Sequence, residues 1–152
     1  MRPVQETVSV LSRELVDSFL KTIMDSWAGA DSAPLFAFLD EDLEYFDDGM
    51  PAPVRGKAAA LEFFDQVSHA LSEFEAVLLE GPMLHPTKPI MMIHWRYGGH
   101  HTGDWGDLKA TGNRFRLDGA SLYEFRDNKV VRWRCIWNVA EMVRQLSAAQ
   151  QS

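Results

Sequence analysis

The chain has 152 residues, 46% of them hydrophobic and 24% charged, which predicts one globular domain over residues 1–152. Its formal net charge of −7 argues against nucleic-acid binding, because phosphate backbones are normally bound by a basic face. No apolar run reaches the length of a membrane span or a secretion signal, and Cys135 is the only cysteine, so we expect a cytoplasmic protein without an intramolecular disulfide.

Helices dominate the first half of the chain. Apolar residues recur every three or four positions from Val8 to Trp27, which predicts a helix with one buried face. A short helix is predicted from Pro34 to Leu39, followed by a strand from Asp42 to Asp48. After a proline-rich loop, an alanine-rich helix is predicted from Gly56 to about Leu71.

Strands dominate the second half. Alternating apolar residues predict four strands, over Glu73 to Leu84, Ile90 to His101, Asn113 to Arg126 and Lys129 to Trp137. The pair Asp127-Asn128 predicts a tight antiparallel hairpin, since Asp and Asn tolerate the positive φ of two-residue turns. A closing helix is predicted over Val139 to Leu146. Helices followed by hairpin-connected strands indicate an α+β fold.

Short motifs along these elements resemble those of the SnoaL-like polyketide cyclases, a family of the nuclear-transport-factor-2-like superfamily. The segments that carry the resemblance in the second half are His101-Thr102-Gly103-Asp104-Trp105, Ala110-Thr111-Gly112-Asn113-Arg114, Gly119 to Arg126, Asp127-Asn128-Lys129-Val130-Val131 and Trp137-Asn138-Val139. Those in the first half are Phe38-Leu39-Asp40 and Val54-Arg55-Gly56-Lys57-Ala58-Ala59. The resemblance covers about residues 12–147.

This resemblance implies a cone-shaped α+β barrel. In that fold a strongly curved antiparallel sheet packs on three N-terminal helices, a short C-terminal helix follows, and an apolar internal pocket remains between them. The superfamily includes cyclases, isomerases, dehydratases and epoxide hydrolases beside proteins without catalytic activity, so the fold does not determine the function. The resemblance also implies a homodimer and a small hydrophobic ligand or substrate, and we expect no cofactor. No metal site is expected either, because His94 lies roughly 20 Å from His100 and His101 along one strand at about 3.3 Å per residue.

Two positions depart from the family's catalytic pattern. By the resemblance, the cyclases' catalytic Asp falls at Cys135, and their accompanying His falls at Ser121. A cysteine is not equivalent to a carboxylate, because its ordinary pKa near 8.5 leaves it mostly protonated at neutral pH. Cys135 is therefore either a small buried core residue or a nucleophile.

Asp48 and His101 are the candidate catalytic residues. Asp48 ends the first predicted strand, where the resemblance places the proton-shuttling Asp of ketosteroid isomerases, and Asp47 is the alternative. A carboxylate that faces an apolar cavity becomes a stronger base, although both aspartates also suit a turn before Gly49. His101 either contacts the ligand or bonds loop backbone.

Aromatic side chains are numerous enough to line a hydrophobic pocket, although each is also an ordinary core residue. The candidate ligand-binding residues are Phe19, Trp27, Phe46, Trp95, Trp105, Ser121, Tyr123, Trp133, Cys135 and Trp137. The leading hypothesis is a small-molecule enzyme that acts on a polyketide-like or carbonyl-bearing substrate by cofactor-free acid–base catalysis. A non-catalytic ligand-binding protein and a dimerisation module are the alternatives, and the latter predicts a pocket filled by side chains.

Overall fold

The computed structural model describes residues 10–149. It contains four helices in chain order: α1 (Arg13–Trp27), α2 (Ala33–Phe36), α3 (Lys57–Ala70) and α4 (Val139–Ser147). Its six strands are β1 (Leu39–Asp47), β2 (Val54–Arg55), β3 (Leu71–Leu84), β4 (Ile90–His101), β5 (Arg114–Arg126) and β6 (Lys129–Trp137). Among these residues no helix is long and apolar enough to cross a bilayer.

Helix α1 begins where a serine can cap it. The hydroxyl of Ser12 accepts a hydrogen bond from the backbone N–H of Leu15 at 3.2 Å, which satisfies one of the free donors of the first turn. Val8, the predicted start, lies outside the described residues. Along α1 the side chains of Val16, Phe19 and Ile23 are buried at helical spacing and form its core-facing side.

The six strands form one curved sheet in the order β2-β1-β6-β5-β4-β3, and this confirms the predicted α+β fold. All neighbouring strands are antiparallel except β1 and β6, which pair in parallel. The predicted bounds of β4 and β6 are confirmed. Asp127 and Asn128 form the predicted hairpin turn between β5 and β6, with φ values of 50° and 62°. The two-residue strand β2 was missed, since it is too short to show a periodicity.

The boundary between α2 and β1 differs from the prediction. The short helix ends at Phe36 rather than at Leu39. Leu39 instead begins β1, where it pairs with Val130 of β6, and the N–H of Val130 donates to the carbonyl of Phe38 at 2.8 Å. Pairing with a distant strand therefore prevails over local helix propensity here.

The interior consists of two apolar clusters that meet around the sheet. One lies between α1, α3 and the strands and includes Phe19, Ile23 and Trp133. The other lies under α4 and includes Leu71 and Met142. Tyr97 and Trp137 are partly buried and pack against both clusters. These two side chains therefore connect the clusters between the helices and the sheet.

Candidate functional site

A cavity of about 620 Å³ lies between the helices and the inner face of the sheet. This volume is typical of small-molecule sites. Six of the ten candidate ligand-binding residues line it, namely Trp27, Trp95, Trp105, Trp133, Cys135 and Trp137. The predicted internal pocket is therefore present, and its walls are mostly aromatic and aliphatic.

Four candidate ligand-binding residues do not line the cavity. Phe19 packs edge-on against Phe38, Tyr123 and Phe125 in the core beneath α1. Phe46 points to the other side of β1, where the guanidinium of Arg134 lies 4.1 Å from its ring centroid. These two predictions of cavity contact were wrong, because helix packing and strand alternation direct the side chains elsewhere.

Ser121 and Tyr123 also lie outside the cavity, although they are on the inner face of β5. Both are fully buried, and the indole Nε1 of Trp95 donates to Ser121 Oγ at 2.8 Å. The ring of Tyr123 lies between those of Phe19 and Trp133, with centroid distances of 4.8 and 5.3 Å. Larger rings therefore separate these two side chains from the cavity.

The structure places Asp47, not Asp48, on the cavity wall. Tyr45 and Asp47 share the inner face of β1, because alternate residues of a strand point the same way. Asp48 accepts hydrogen bonds from Arg134 Nη2 at 2.6 Å and from the backbone N–H of Trp137 at 3.1 Å. The preferred candidate is thus engaged in an ion pair, and the alternative aspartate faces the cavity.

Asp47 is held by three neutral donors. Its Oδ1 accepts from Trp137 Nε1 at 2.7 Å and from the N–H of Gly49 at 2.8 Å, and its Oδ2 accepts from the hydroxyl of Tyr45 at 3.1 Å. Burial raises the pKa of Asp47 above its ordinary value, while these hydrogen bonds act in the opposite direction. Among the described residues that line the cavity, Asp47 is the only acid or base of the Asp, Glu, His, Lys and Arg types.

Cys135 lies beside Asp47 on the neighbouring strand, since the two residues are partners in the β1–β6 register. Its Sγ is 3.3 Å from Ser121 Oγ and 3.9 Å from the hydroxyl of Tyr45. Burial, with a smaller contribution from the charge of Asp47, raises the pKa of the Cys135 thiol to about 12. The thiol is therefore protonated at neutral pH and suits neither a base nor a nucleophile.

His101 is completely buried and does not line the cavity. Its Nδ1 accepts from the backbone N–H of Thr111 at 3.2 Å, and the hydroxyl of Thr111 lies 2.9 Å from the same atom. Burial lowers the pKa of His101, so the imidazole is neutral, with its proton on Nε2. His101 thus bonds the backbone of the loop that carries Trp105, which is the second of the two roles predicted for it.

Helix α4 forms one wall of the cavity through Met142 and Leu146. The side chain of Asn113, which is 1% exposed, fastens its C-terminal end. Asn113 Nδ2 lies 3.2, 3.1 and 2.9 Å from the carbonyl oxygens of Gln145, Leu146 and Ala148. This side chain supplies donors to carbonyls that have no partner within the helix.

Sequence reasoning missed two tyrosines on the cavity wall, Tyr45 and Tyr97. The signal was present in the strand alternation, because Tyr45 shares its face with Asp47 and Tyr97 shares its face with Trp95. Within residues 10–149 no group of three or more His, Cys, Asp and Glu side chains is arranged to hold a metal ion.

Comparison with known proteins identifies the family. The sequence model of the SnoaL-like polyketide cyclases matches residues 17–146. The chain belongs to the SnoaL-like polyketide cyclase family. A search of curated protein sequences gives no significant match. The predicted resemblance is thus confirmed, and it covers nearly all of this SnoaL-like domain.

Solved structures of the same fold include several bacterial proteins. A protein of Jannaschia sp. CCS1 named as a SnoaL-like polyketide cyclase superposes with a TM-score of 0.81 at 15% identity, over 94% of this chain and 98% of that one. TsrD of Streptomyces laurentii gives 0.76 at 16% identity, over 91% and 99%. AclR of Streptomyces galilaeus, named as a hydroxylase, gives 0.72 at 15% identity, over 90% and 98%. At such identities these likenesses show the fold alone.

Proposed function

We propose that this SnoaL-like protein is an enzyme that acts on an uncharged, hydrophobic, carbonyl-bearing small molecule, with Asp47 as its general base. The observation that carries this proposal is the position of Asp47, a carboxylate on the wall of an otherwise apolar cavity and held by Trp137, Gly49 and Tyr45. A general base needs to reach the substrate and to have a pKa above that of a fully solvated carboxylate. The place of Asp47 on the cavity wall and the rise of its pKa by burial support this assignment.

The reaction class follows from what a single carboxylate can do. Asp47 removes a proton from a carbon next to the substrate carbonyl, and the electron pair moves onto the carbonyl oxygen to form an enolate. The enolate carbon then either attacks a second carbonyl of the same molecule or regains a proton at another position. The protonated Asp47 returns the proton in either case, so the carboxylate is regenerated.

The charge of the cavity favours an uncharged substrate. The described residues of its wall include Asp47 but no Lys, Arg or His. An anionic ligand would lose its hydration without gaining a cationic partner, and it would also face the charge of Asp47. Large aromatic surfaces such as those of Trp27, Trp95 and Trp133 suit a flat ring system instead.

The proposal is tested with 2-tetralone, a bicyclic ketone with acidic protons beside its carbonyl. Catalysed exchange of these protons with D2O is followed by NMR at neutral pH. We expect the wild-type protein to exchange these protons faster than the uncatalysed background. In Asp47→Asn the catalysed rate should be lower by at least about 100-fold. Asp48→Asn, whose side chain lies in the ion pair with Arg134, is the matched control and should retain catalysis. Full activity in Asp47→Asn would refute the assignment.

A non-catalytic ligand carrier is the second candidate function. It is favoured by the replacement of the family's catalytic Asp with Cys135, whose thiol pKa is about 12. Native mass spectrometry of the protein as purified, followed by denaturing extraction, tests it: a tightly bound compound that is recovered unchanged after incubation supports a carrier. The open cavity of about 620 Å³ contradicts the filled pocket that a pure dimerisation module predicts.

We also propose that the protein is a homodimer. Val77 on β3 and Ile136 on β6 are 41% and 44% exposed, and both lie on the sheet rather than in a loop. Contact with a second copy would remove these two side chains from water, and a homodimer is also what the family resemblance implies. Light scattering coupled to size exclusion should give twice the chain mass at micromolar concentration, and a monomer would refute this proposal.

A further inference from the structure

The three tyrosines of the chain differ in what their hydroxyl groups contact. The hydroxyl of Tyr45 donates to Asp47, and that of Tyr123 is sealed in the core without a partner. Tyr97 lines the cavity, forms no hydrogen bond through its hydroxyl with any residue between 10 and 149, and is not among the sealed polar groups. Its hydroxyl is therefore free to bond a molecule in the cavity.

The ring of Tyr97 is fixed by its neighbours. Its centroid lies 6.0 Å from that of Trp27, 6.2 Å from Phe74, 6.1 Å from Phe115 and 6.5 Å from Trp95. Contacts on several sides restrict its rotamers, so the hydroxyl needs little ordering when a ligand binds. Burial also raises the pKa of Tyr97, which keeps the hydroxyl protonated and able to donate.

The register of the sheet places Tyr97 far from Asp47. Asp47 pairs with Cys135, Cys135 with Ser121, and Ser121 with Ile93, so these four residues form one row across β1, β6, β5 and β4. Tyr97 is four residues beyond Ile93 on β4, or roughly 13 Å along the strand at about 3.3 Å per residue. Asp47 and Tyr97 therefore lie toward opposite ends of the cavity.

We propose that Tyr97 is a specificity-determining residue, whose hydroxyl binds an acceptor oxygen at the end of the ligand remote from Asp47. The ligand is accordingly an elongated, uncharged ring system with a carbonyl or ether oxygen at that remote end. This inference rests on the proposed function in taking the cavity as the ligand site and Asp47 as its reacting end. It extends that function by identifying a second polar anchor.

The probe for this inference is 6-acetyl-2-naphthol, which has a donor at one end and an acceptor at the other. Its hydroxyl can donate to Asp47 while its acetyl oxygen accepts from Tyr97. The matched probe is 6-isopropyl-2-naphthol, which has a similar shape but no acceptor. We expect the acetyl compound to bind about 2- to 12-fold more tightly by calorimetry, the range that one hydrogen bond provides.

The variants decide whether Tyr97 causes this preference. Tyr97→Phe should bind both naphthols with equal affinity, whereas Tyr123→Phe, which removes the sealed hydroxyl, should keep the preference of the unchanged protein. A preference that persists in Tyr97→Phe overturns the inference. Absence of the preference in the unchanged protein, including failure of both naphthols to bind, overturns it as well.

These experiments distinguish a wrong assignment of Tyr97 from a wrong assignment of Asp47. If Asp47→Asn retains proton exchange on 2-tetralone while Tyr97→Phe loses the acetyl preference, acid–base catalysis by Asp47 is rejected and the role of Tyr97 stands. If Asp47→Asn loses exchange while Tyr97→Phe keeps the preference, the role of Tyr97 is rejected and the proposed function stands.

Discussion

Tyr45 donates its hydroxyl proton to Asp47 across 3.1 Å, and the same hydroxyl oxygen lies 3.9 Å from the thiol of Cys135. Tyr45 thus contacts both Asp47 and Cys135, and by the resemblance Cys135 stands where the family has its catalytic Asp. Its hydrogen bond stabilises the ionised form of Asp47, whereas burial destabilises that form. The basicity of Asp47 depends on the balance of these two effects.

Tyr45→Phe is expected to raise the pKa of Asp47, because it removes one donor to the carboxylate and leaves the burial in place. Exchange on 2-tetralone requires ionised Asp47, so its rate should rise with pH through that pKa. The midpoint of the rise should move upward by roughly 0.5–1 pH unit, the equivalent of one hydrogen bond. Tyr123→Phe is the control, and an unchanged or lowered midpoint in Tyr45→Phe would contradict the expectation.

Asp47→Asn is expected to raise the melting temperature at pH 7. Folding raises the pKa of Asp47, so the ionised carboxylate opposes folding above that pKa, and an amide of the same shape lacks this cost. The gain should diminish as the pH falls toward the pKa of the unfolded carboxyl, where both side chains are uncharged. Differential scanning fluorimetry from pH 7 to pH 4 measures the trend.

Asp48→Asn should change stability in the opposite direction. Asp48 accepts hydrogen bonds from Arg134 and from the backbone N–H of Trp137, and both side chains of the ion pair are partly buried. Loss of the negative charge leaves the guanidinium without its partner, so the melting temperature at pH 7 should fall. Equal shifts in Asp47→Asn and Asp48→Asn would show that the two aspartates have equivalent surroundings.

His101 should make the fold sensitive to acid. Folding lowers the pKa of His101, so the unfolded chain binds a proton at a higher pH than the folded chain does. The free energy of unfolding should therefore decrease as the pH falls through about 6.5, the pKa of an unperturbed histidine, toward the lower folded value. Urea titrations at pH 7.5 and 5.5 should show a smaller difference for His101→Gln, and His69→Gln, on the exposed side of α3, is the control.

Asn113→Ala is expected to destabilise the protein by about 1–3 kcal/mol, because it leaves the carbonyls of Gln145, Leu146 and Ala148 without this donor. Since Leu146 lines the cavity, the affinity for 6-acetyl-2-naphthol should fall as well. Asn128→Gly is the comparison, because φ of Asn128 is 62° and glycine adopts this value readily. Urea denaturation and calorimetry check both expectations, and an undiminished affinity would show that α4 keeps its place without Asn113.

Most of the secondary structure could be predicted from the sequence, because it depends on residues that are close together in the chain. The alternation in β4 and β6 and the Asp127-Asn128 turn depend on neighbouring residues, which the sequence displays directly. The end of α2 and the strand β2 depend instead on pairing with distant parts of the chain. For the same reason, the parallel pairing of β1 with β6 could not be predicted from periodicity.

The candidate site was predicted only in outline. Choosing between Asp47 and Asp48 requires knowing which alternate residues of β1 point toward the cavity. An error of one residue along the strand exchanges the two aspartates. Strand alternation alone also cannot separate Tyr97 from Tyr123, since both point inward. The difference arises from packing, because Phe19 and Trp133 enclose Tyr123 whereas Tyr97 stays accessible.

The parallel pairing of β1 with β6 has a consequence for biosynthesis. Asp47 is made early, but the indole of Trp137 that bonds it belongs to the last strand. A ribosome-bound chain that lacks β6 exposes this carboxylate and the apolar face around it, and closing so long a loop is slow. The cavity therefore forms only after β6 has emerged from the ribosome, and a ligand that binds there would select molecules in which β6 is already paired with β1.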